Sequence, residues 1–121
     1  MITYDDVREL ALALPEAYEQ ASYGGQPSWR TKARMFCWIR DEPEALMVWV
    51  ESLEEKEVLL AADPDTFFTI DHYKGRPNVL VRLDAVDREE ARELITESWR
   101  LRAPKTLVKQ WDADHPSPPD T

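Results

Sequence analysis

A single cysteine, Cys37, rules out an intrachain disulfide and leaves no thiolate set for a metal. Its place in an apolar alternating run marks it as a small buried hydrophobe. Two histidines, His72 and His115, are too few and too far apart for a zinc site. Three glycines leave no phosphate loop: Gly24-Gly25 is not followed by a helix opening on Lys-Ser or Lys-Thr. No apolar run reaches the length of a membrane span and no apolar leader opens the chain, so a cytoplasmic protein without membrane contact is expected. Positive charge is also short. The net charge of −9 argues against a strong, sequence-independent grip on DNA, which depends on Lys and Arg neutralising phosphates.

What is present suffices for one domain with its own core: 121 residues, 43% of them apolar, with five tryptophans. The chain is organised around residues 34–51. Met35, Cys37 and Ile39 alternate with Phe36, Trp38 and Arg40, and Leu46, Val48 and Val50 alternate with Met47, Trp49 and Glu51. The turn Asp41-Glu42-Pro43-Glu44 separates them, so the pattern predicts a β-hairpin. Large apolar groups on both faces predict that both are at least partly covered.

Around the hairpin, Thr3 is the expected N-cap of a first helix whose stripe is Val7, Leu10, Ala11 and Leu14, stopped by Pro15. Residues 16–33 read as a loop followed by a short strand through Trp29, Thr31 and Ala33. Ser52 with Glu55, and Asp87 with Glu90, have the spacing of capping boxes that open two further helices. Strands are expected at Phe67–Ile70 and Val79–Leu83, and a last short helix carries Leu107, Val108 and Trp111 after Pro104. The order is helix, three strands, helix, two strands, then one or two helices: an α+β domain over 1–111, its antiparallel sheet of about five strands flanked by helices. Residues 112–121, rich in proline, are expected to form a flexible tail.

The ordered set Leu14-Pro15, Gly24, Pro27-Ser28-Trp29-Arg30, Lys32, Met35-Phe36-Cys37, Ala62-Asp63-Pro64, Phe67-Phe68, His72-Tyr73-Lys74-Gly75-Arg76-Pro77, Val79-Leu80-Val81-Arg82-Leu83 and Ser98-Trp99 resembles the YjbR/MmcQ-like family of small bacterial proteins. The resemblance implies a compact α+β fold of double-wing type, similar to that of secretion chaperones. Members are commonly labelled DNA-binding.

Charge distribution supplies the candidate site. No acid lies between Ala21 and Arg40, where Arg30, Lys32, Arg34 and Arg40 accumulate, nor between Ser98 and Gln110, where Arg100, Arg102, Lys105 and Lys109 do. Lys74 and Arg76 form a third group beside His72 and Tyr73. Basic residues beside aromatics suit phosphates and stacked bases. The candidate binding residues are therefore Trp29, Arg30, Lys32, Arg34, His72, Tyr73, Lys74 and Arg76, with the ordinary solvated face as the competing reading. The acids of the helices read as solvated surface and first-turn dipole partners, not as cation ligands.

No catalytic residue, metal or cofactor is expected, and the protein is read as non-enzymatic. The first functional expectation is weak, salt-sensitive binding of DNA or another anion. The alternative is a protein-interaction module, chaperone-like or self-associating. Last comes a small-ligand protein or enzyme with a pocket near His72 and Tyr73.

Overall fold

The computed structural model describes residues 1–32 and 34–115. Along the chain run α1 (Tyr4–Leu12), β1 (Tyr18–Ala21), β2 (Pro27–Arg30), β3 (Met35–Arg40), β4 (Ala45–Trp49), α2 (Leu53–Ala62), β5 (Phe67–Phe68), β6 (Asn78–Val81), α3 (Arg88–Arg102) and α4 (Lys105–Asp114). The six strands form one antiparallel sheet in the order β1-β2-β3-β4-β6-β5. The α+β class and the element order expected from the sequence stand. One strand, β1, is additional. Its four residues are all exposed, so no apolar alternation marks it.

Local chemistry fixes the helix starts. The Thr3 hydroxyl accepts the Asp6 amide while the Asp6 carboxylate accepts the Thr3 amide, a complete capping box. Ser52 and Asp87 each accept the amide three residues on, from Glu55 and Glu90. The helix α4 begins after Pro104 and continues to Asp114, so residues 112–115 belong to the folded body, not to the tail. Asp112 is held by Arg100 at 2.9 and 3.0 Å, and the His115 ring stacks on Trp111 at 3.7 Å. Of the expected tail, 116–121 lies outside the described residues.

The four α-helices of the described residues lie on one face of the sheet. Val7, Leu10 and Ala11 of α1, Leu59 and Leu60 of α2, Ala91, Ile95 and Trp99 of α3, and Leu107, Val108 and Trp111 of α4 join one core. Opposite them the sheet contributes Trp29, Cys37, Ile39, Leu46, Val48, Phe67, Val79 and Val81. Each large apolar side chain fully buried there contributes roughly 1.5–3 kcal/mol. Burial pushes the Cys37 thiol well above its ordinary range, which leaves it inert.

Among the described residues the other face carries no α-helix. A small cluster of Ala45, Met47, Leu80 and Tyr73 is ringed by the half-buried Met35, Trp38, Trp49, Phe68 and Ile70. Tyr73 comes from a 3-10 turn, Asp71–Tyr73, folded back over this face.

One irregularity matters. Trp29 pairs with Cys37 but Arg30 pairs with Met35, so Phe36 has no partner on β2. The bulge reverses the alternation. Phe36 and Cys37 both enter the main core, and Met35 goes to the open face.

Candidate binding surface on the open sheet face

Successive strand residues point to opposite faces, so the core-facing residues fix what the open face presents. Below Trp29 comes Arg30; between Cys37 and Ile39 comes Trp38, then Arg40; after Val48 comes Trp49; after Phe67 comes Phe68; and Arg82 follows Val81. Strands β2 to β6 contain no aspartate or glutamate. The acidic excess of the chain sits in helices, turns and β1.

The arginines divide accordingly. Arg8, Arg88, Arg92 and Arg100, all on α1 and α3, are ion-paired to carboxylates. Among the described residues no carboxylate pairs with Arg30, Arg34, Arg40, Arg76, Arg82 or Arg102. Several of these lie on aromatic rings instead. Arg82 sits 4.1 Å from the centroid of Phe68, Arg102 4.0 Å from that of Trp49, and Arg40 5.7 Å from that of Tyr73. Guanidinium groups so placed gain from the ring quadrupole and keep a free face.

The best-defined part is the end of the sheet where β3 begins and β4 stops. Ser98 and Arg102, four residues apart on α3, reach it together. The Ser98 hydroxyl accepts the Trp49 amide at 2.8 Å and donates to the Phe36 carbonyl. It takes the place of a rung between β3 and β4 and leaves the two strands splayed there. Arg102 donates its Nε to the Met35 carbonyl at 3.2 Å while its guanidinium covers Trp49. Arg34 donates its Nε to the Arg102 carbonyl at 3.3 Å. Both arginines are thus anchored at this end of the sheet with their end nitrogens unpaired among the described residues. Burial, and then the neighbouring Arg34, depress the pKa of Arg102. That is the signature of a cation lacking a counter-charge.

The adjacent strands complete this end. Asn78 pairs with Trp49, and the Pro77 carbonyl accepts the Val50 amide, which puts Arg76 two strand spacings from the start of β3, about 10 Å. The backbone positions of Arg30 and Arg34, of Arg76 and of Arg102, distant in sequence, therefore fall at one end of the sheet.

The residues expected from the sequence fare differently. Arg30, Arg34 and Arg76 join this surface. Lys32 is exposed beside Pro104, at the margin. Trp29 is wholly buried on the helix-clad face, its indole N–H donating to Glu19 at 3.1 Å, so it offers no ring to a ligand. Tyr73 is 6% exposed and packs under Arg40. His72 is exposed and meets Tyr73 edge-on at 5.0 Å. Lys74 turns toward α2, where it lines a cleft of about 320 Å³ with Lys56, Leu53 and Leu60. The half-exposed Trp38, Trp49 and Phe68 were missed as site residues. Their signal was strand parity: they alternate with core positions and share their face with Arg40 and Arg82.

Among the described residues no group of three or more His, Cys, Asp or Glu side chains could hold a metal ion, and no helix is long and apolar enough to cross a membrane.

Comparison with known proteins identifies the lineage of this architecture. The YjbR family model matches residues 12–101. The chain belongs to the YjbR family. Relatives in Mycobacterium bovis and Mycobacterium tuberculosis, each described as an uncharacterized protein, are 34% identical and cover 94% of this chain and 98% of their own length. The crystal structure of Deinococcus radiodurans protein DR2400, of the domain family DUF419, superposes with a TM-score of 0.74 at 27% identity. It covers 98% of this chain and 91% of its own. The YjbR match spans β1 through nearly all of α3, so Ser98 and all six strands fall within it, and Arg102 lies just past its end.

Proposed function

We propose that this YjbR protein binds nucleic acid, weakly and in single-stranded form, across the open face of its sheet. The observation that carries the reading is the segregation of charge. Arginines without carboxylate partners gather on and around the acid-free strands, Arg102 of α3 among them, while Arg8, Arg88, Arg92 and Arg100 of the helices are neutralised. Half-exposed Trp38, Trp49 and Phe68 lie among them. A strand can stack its bases on such rings, or on the guanidinium planes that cover them, while phosphates meet the free guanidinium ends. A duplex hides its bases and offers only phosphates, which the net charge of −9 opposes.

The test is fluorescence anisotropy of a labelled single-stranded oligonucleotide titrated at several salt concentrations. Some four phosphate contacts give a slope of about −3 for log affinity against log salt. Tryptophan emission is quenched as bases stack. No binding at low salt, or a slope near zero, overturns the proposal.

One observation favours a second reading, a protein-interaction module. The outer edge of β1 is unpaired among the described residues, and an unpaired edge can accept a strand from a partner. Light scattering over a concentration series tests self-association: a monomer throughout removes the pairing of copies.

A further inference from the structure

Where the β2–β3 turn meets the α3–α4 junction there is a separate cleft of about 420 Å³. This falls within the range of small-molecule sites. Its walls are chemically divided. Arg34 stands on one side; Lys105 and Lys109, one turn apart on α4, stand on the other. All three are exposed, and among the described residues none has a carboxylate within ion-pairing distance. Leu101, Ala103 and Val108 supply an apolar lining.

The acid present is already committed. Asp112 gives both oxygens to Arg100, at 2.9 and 3.0 Å, and Arg100 also takes Glu97 at 2.9 Å. That network carries one net negative charge, so the three cations still leave a positive surplus of two. The first turn of α4 holds no acid to offset them. The cleft thus combines surplus positive charge at its rim with an apolar wall. The complementary molecule carries two negative charges at one end and a compact apolar body at the other. A bare inorganic anion would leave the apolar wall in water, and a neutral apolar molecule would leave the cations unmatched.

We infer that the cleft between Arg34 and the α4 lysines binds a small phosphate monoester with a compact apolar body. The phosphate sits between Arg34, Lys105 and Lys109, and the body lies on Leu101 and Val108. The cleft shares Arg34 with the end of the open face, but its lysines and apolar wall belong to α3, α4 and their junction, so it does not depend on strand binding.

Phenyl phosphate is the probe, titrated into the full-length protein and followed by ¹H–¹⁵N correlation spectra. Shifts are expected at Arg34, Lys105, Val108 and Lys109. Inorganic phosphate is expected to bind about tenfold more weakly, for want of the apolar contact. The neutral analogue benzyl alcohol leaves these resonances in place. The double variant Lys105→Gln, Lys109→Gln alters two exposed side chains, so it keeps its fold by circular dichroism. It weakens phenyl phosphate about fivefold, the size expected of two exposed charge pairs. Shifts scattered over the surface, equal shifts with benzyl alcohol, or unchanged affinity in the double variant overturn the assignment. Oligonucleotide binding, measured in parallel, separates the two sites. Its loss with phenyl phosphate binding intact refutes strand binding alone, and the reverse refutes the cleft alone.

Discussion

Ser98 has an influence larger than its size. Its hydroxyl is wholly buried and serves two strands at once, receiving the Trp49 amide and donating to the Phe36 carbonyl. Ser98→Ala removes the oxygen and leaves both backbone groups without a partner. The expected cost is about 1–3 kcal/mol, the penalty of stranding a buried polar group. Urea denaturation measures it, with an unchanged m-value showing that the denatured state is unaffected. A loss below about 0.5 kcal/mol would mean that the strands close up and rebuild the rung themselves.

Arg102 offers a more pointed test at the same scale. It contributes charge, a planar surface over Trp49 and an anchor on the Met35 carbonyl. Arg102→Lys keeps the charge and loses the plane. Strand affinity should fall about fivefold, the worth of one cation–π contact of roughly 1 kcal/mol. If lysine binds as well as arginine, the surface acts through charge alone and the stacking component of the proposal is wrong.

At the scale of elements, α4 is the piece held on most conditionally. It packs Leu107, Val108 and Trp111 against the core, none of them fully buried, and Asp112 ties it to Arg100 of α3. The hydrogen bond from Arg100 holds the Asp112 carboxyl below its ordinary range. The folded pKa therefore lies below the unfolded value of about 3.9. A depressed carboxylate gives stability that is complete above the unfolded value and disappears as pH falls through the folded one. Below about pH 4 the Trp111–His115 end of α4 should loosen before the sheet does, with its amides exchanging first. Asp112→Asn should show the same early exchange at neutral pH. Equal protection of α4 and β3 at acid pH contradicts this.

Another element-scale device is Lys56, buried on α2 and donating to the carbonyls of Tyr73 and Arg76 at 2.7 and 3.0 Å. It fastens the loop that brings Arg76 to the site. Desolvation depresses its pKa, as expected for an ammonium with backbone partners only. Lys56→Met should free residues 71–77 to exchange and cost about 1–2 kcal/mol. Unchanged protection in that loop refutes the pinning role.

The elements were unevenly legible. Residues 35–49 could be read because alternation and an acidic, proline-containing turn agree, and the cap at Thr3 because Asp6 answers it. The strand Tyr18–Ala21 could not, because an edge strand exposed along its length needs no apolar period. Trp29 and Tyr73 were misjudged for a common reason. Proximity in sequence to Arg30 and Lys74 suggests a joint surface, whereas Trp29 faces the opposite way from Arg30 on its strand, and Tyr73, in its 3-10 turn, packs under Arg40 while Lys74 turns toward α2. The part of the site that involves α3 was not legible, because Ser98 and Arg102 meet Trp49 only through the crossing of helix and sheet.

At the scale of the whole molecule the charge forms two hemispheres. The acid-free strands present arginine, and the helical layer carries the surplus carboxylates, among them Glu54 and Glu57 on α2, both exposed. How a polyanion experiences this depends on screening. At about 0.01 M salt the Debye length is about 30 Å and the net charge is felt together with the face; near 0.15 M it is about 8 Å and the face acts almost alone. Neutralising remote acids should therefore matter only when screening is weak. The double variant Glu54→Gln, Glu57→Gln should bind an oligonucleotide a few-fold more tightly at low salt and almost equally at physiological salt. Altering Arg40 or Arg82 should weaken binding at both. Anisotropy at the two salt concentrations separates these outcomes. A gain that persists at high salt would place the bound strand beside α2, on the acidic side, and remove the open face as the binding surface.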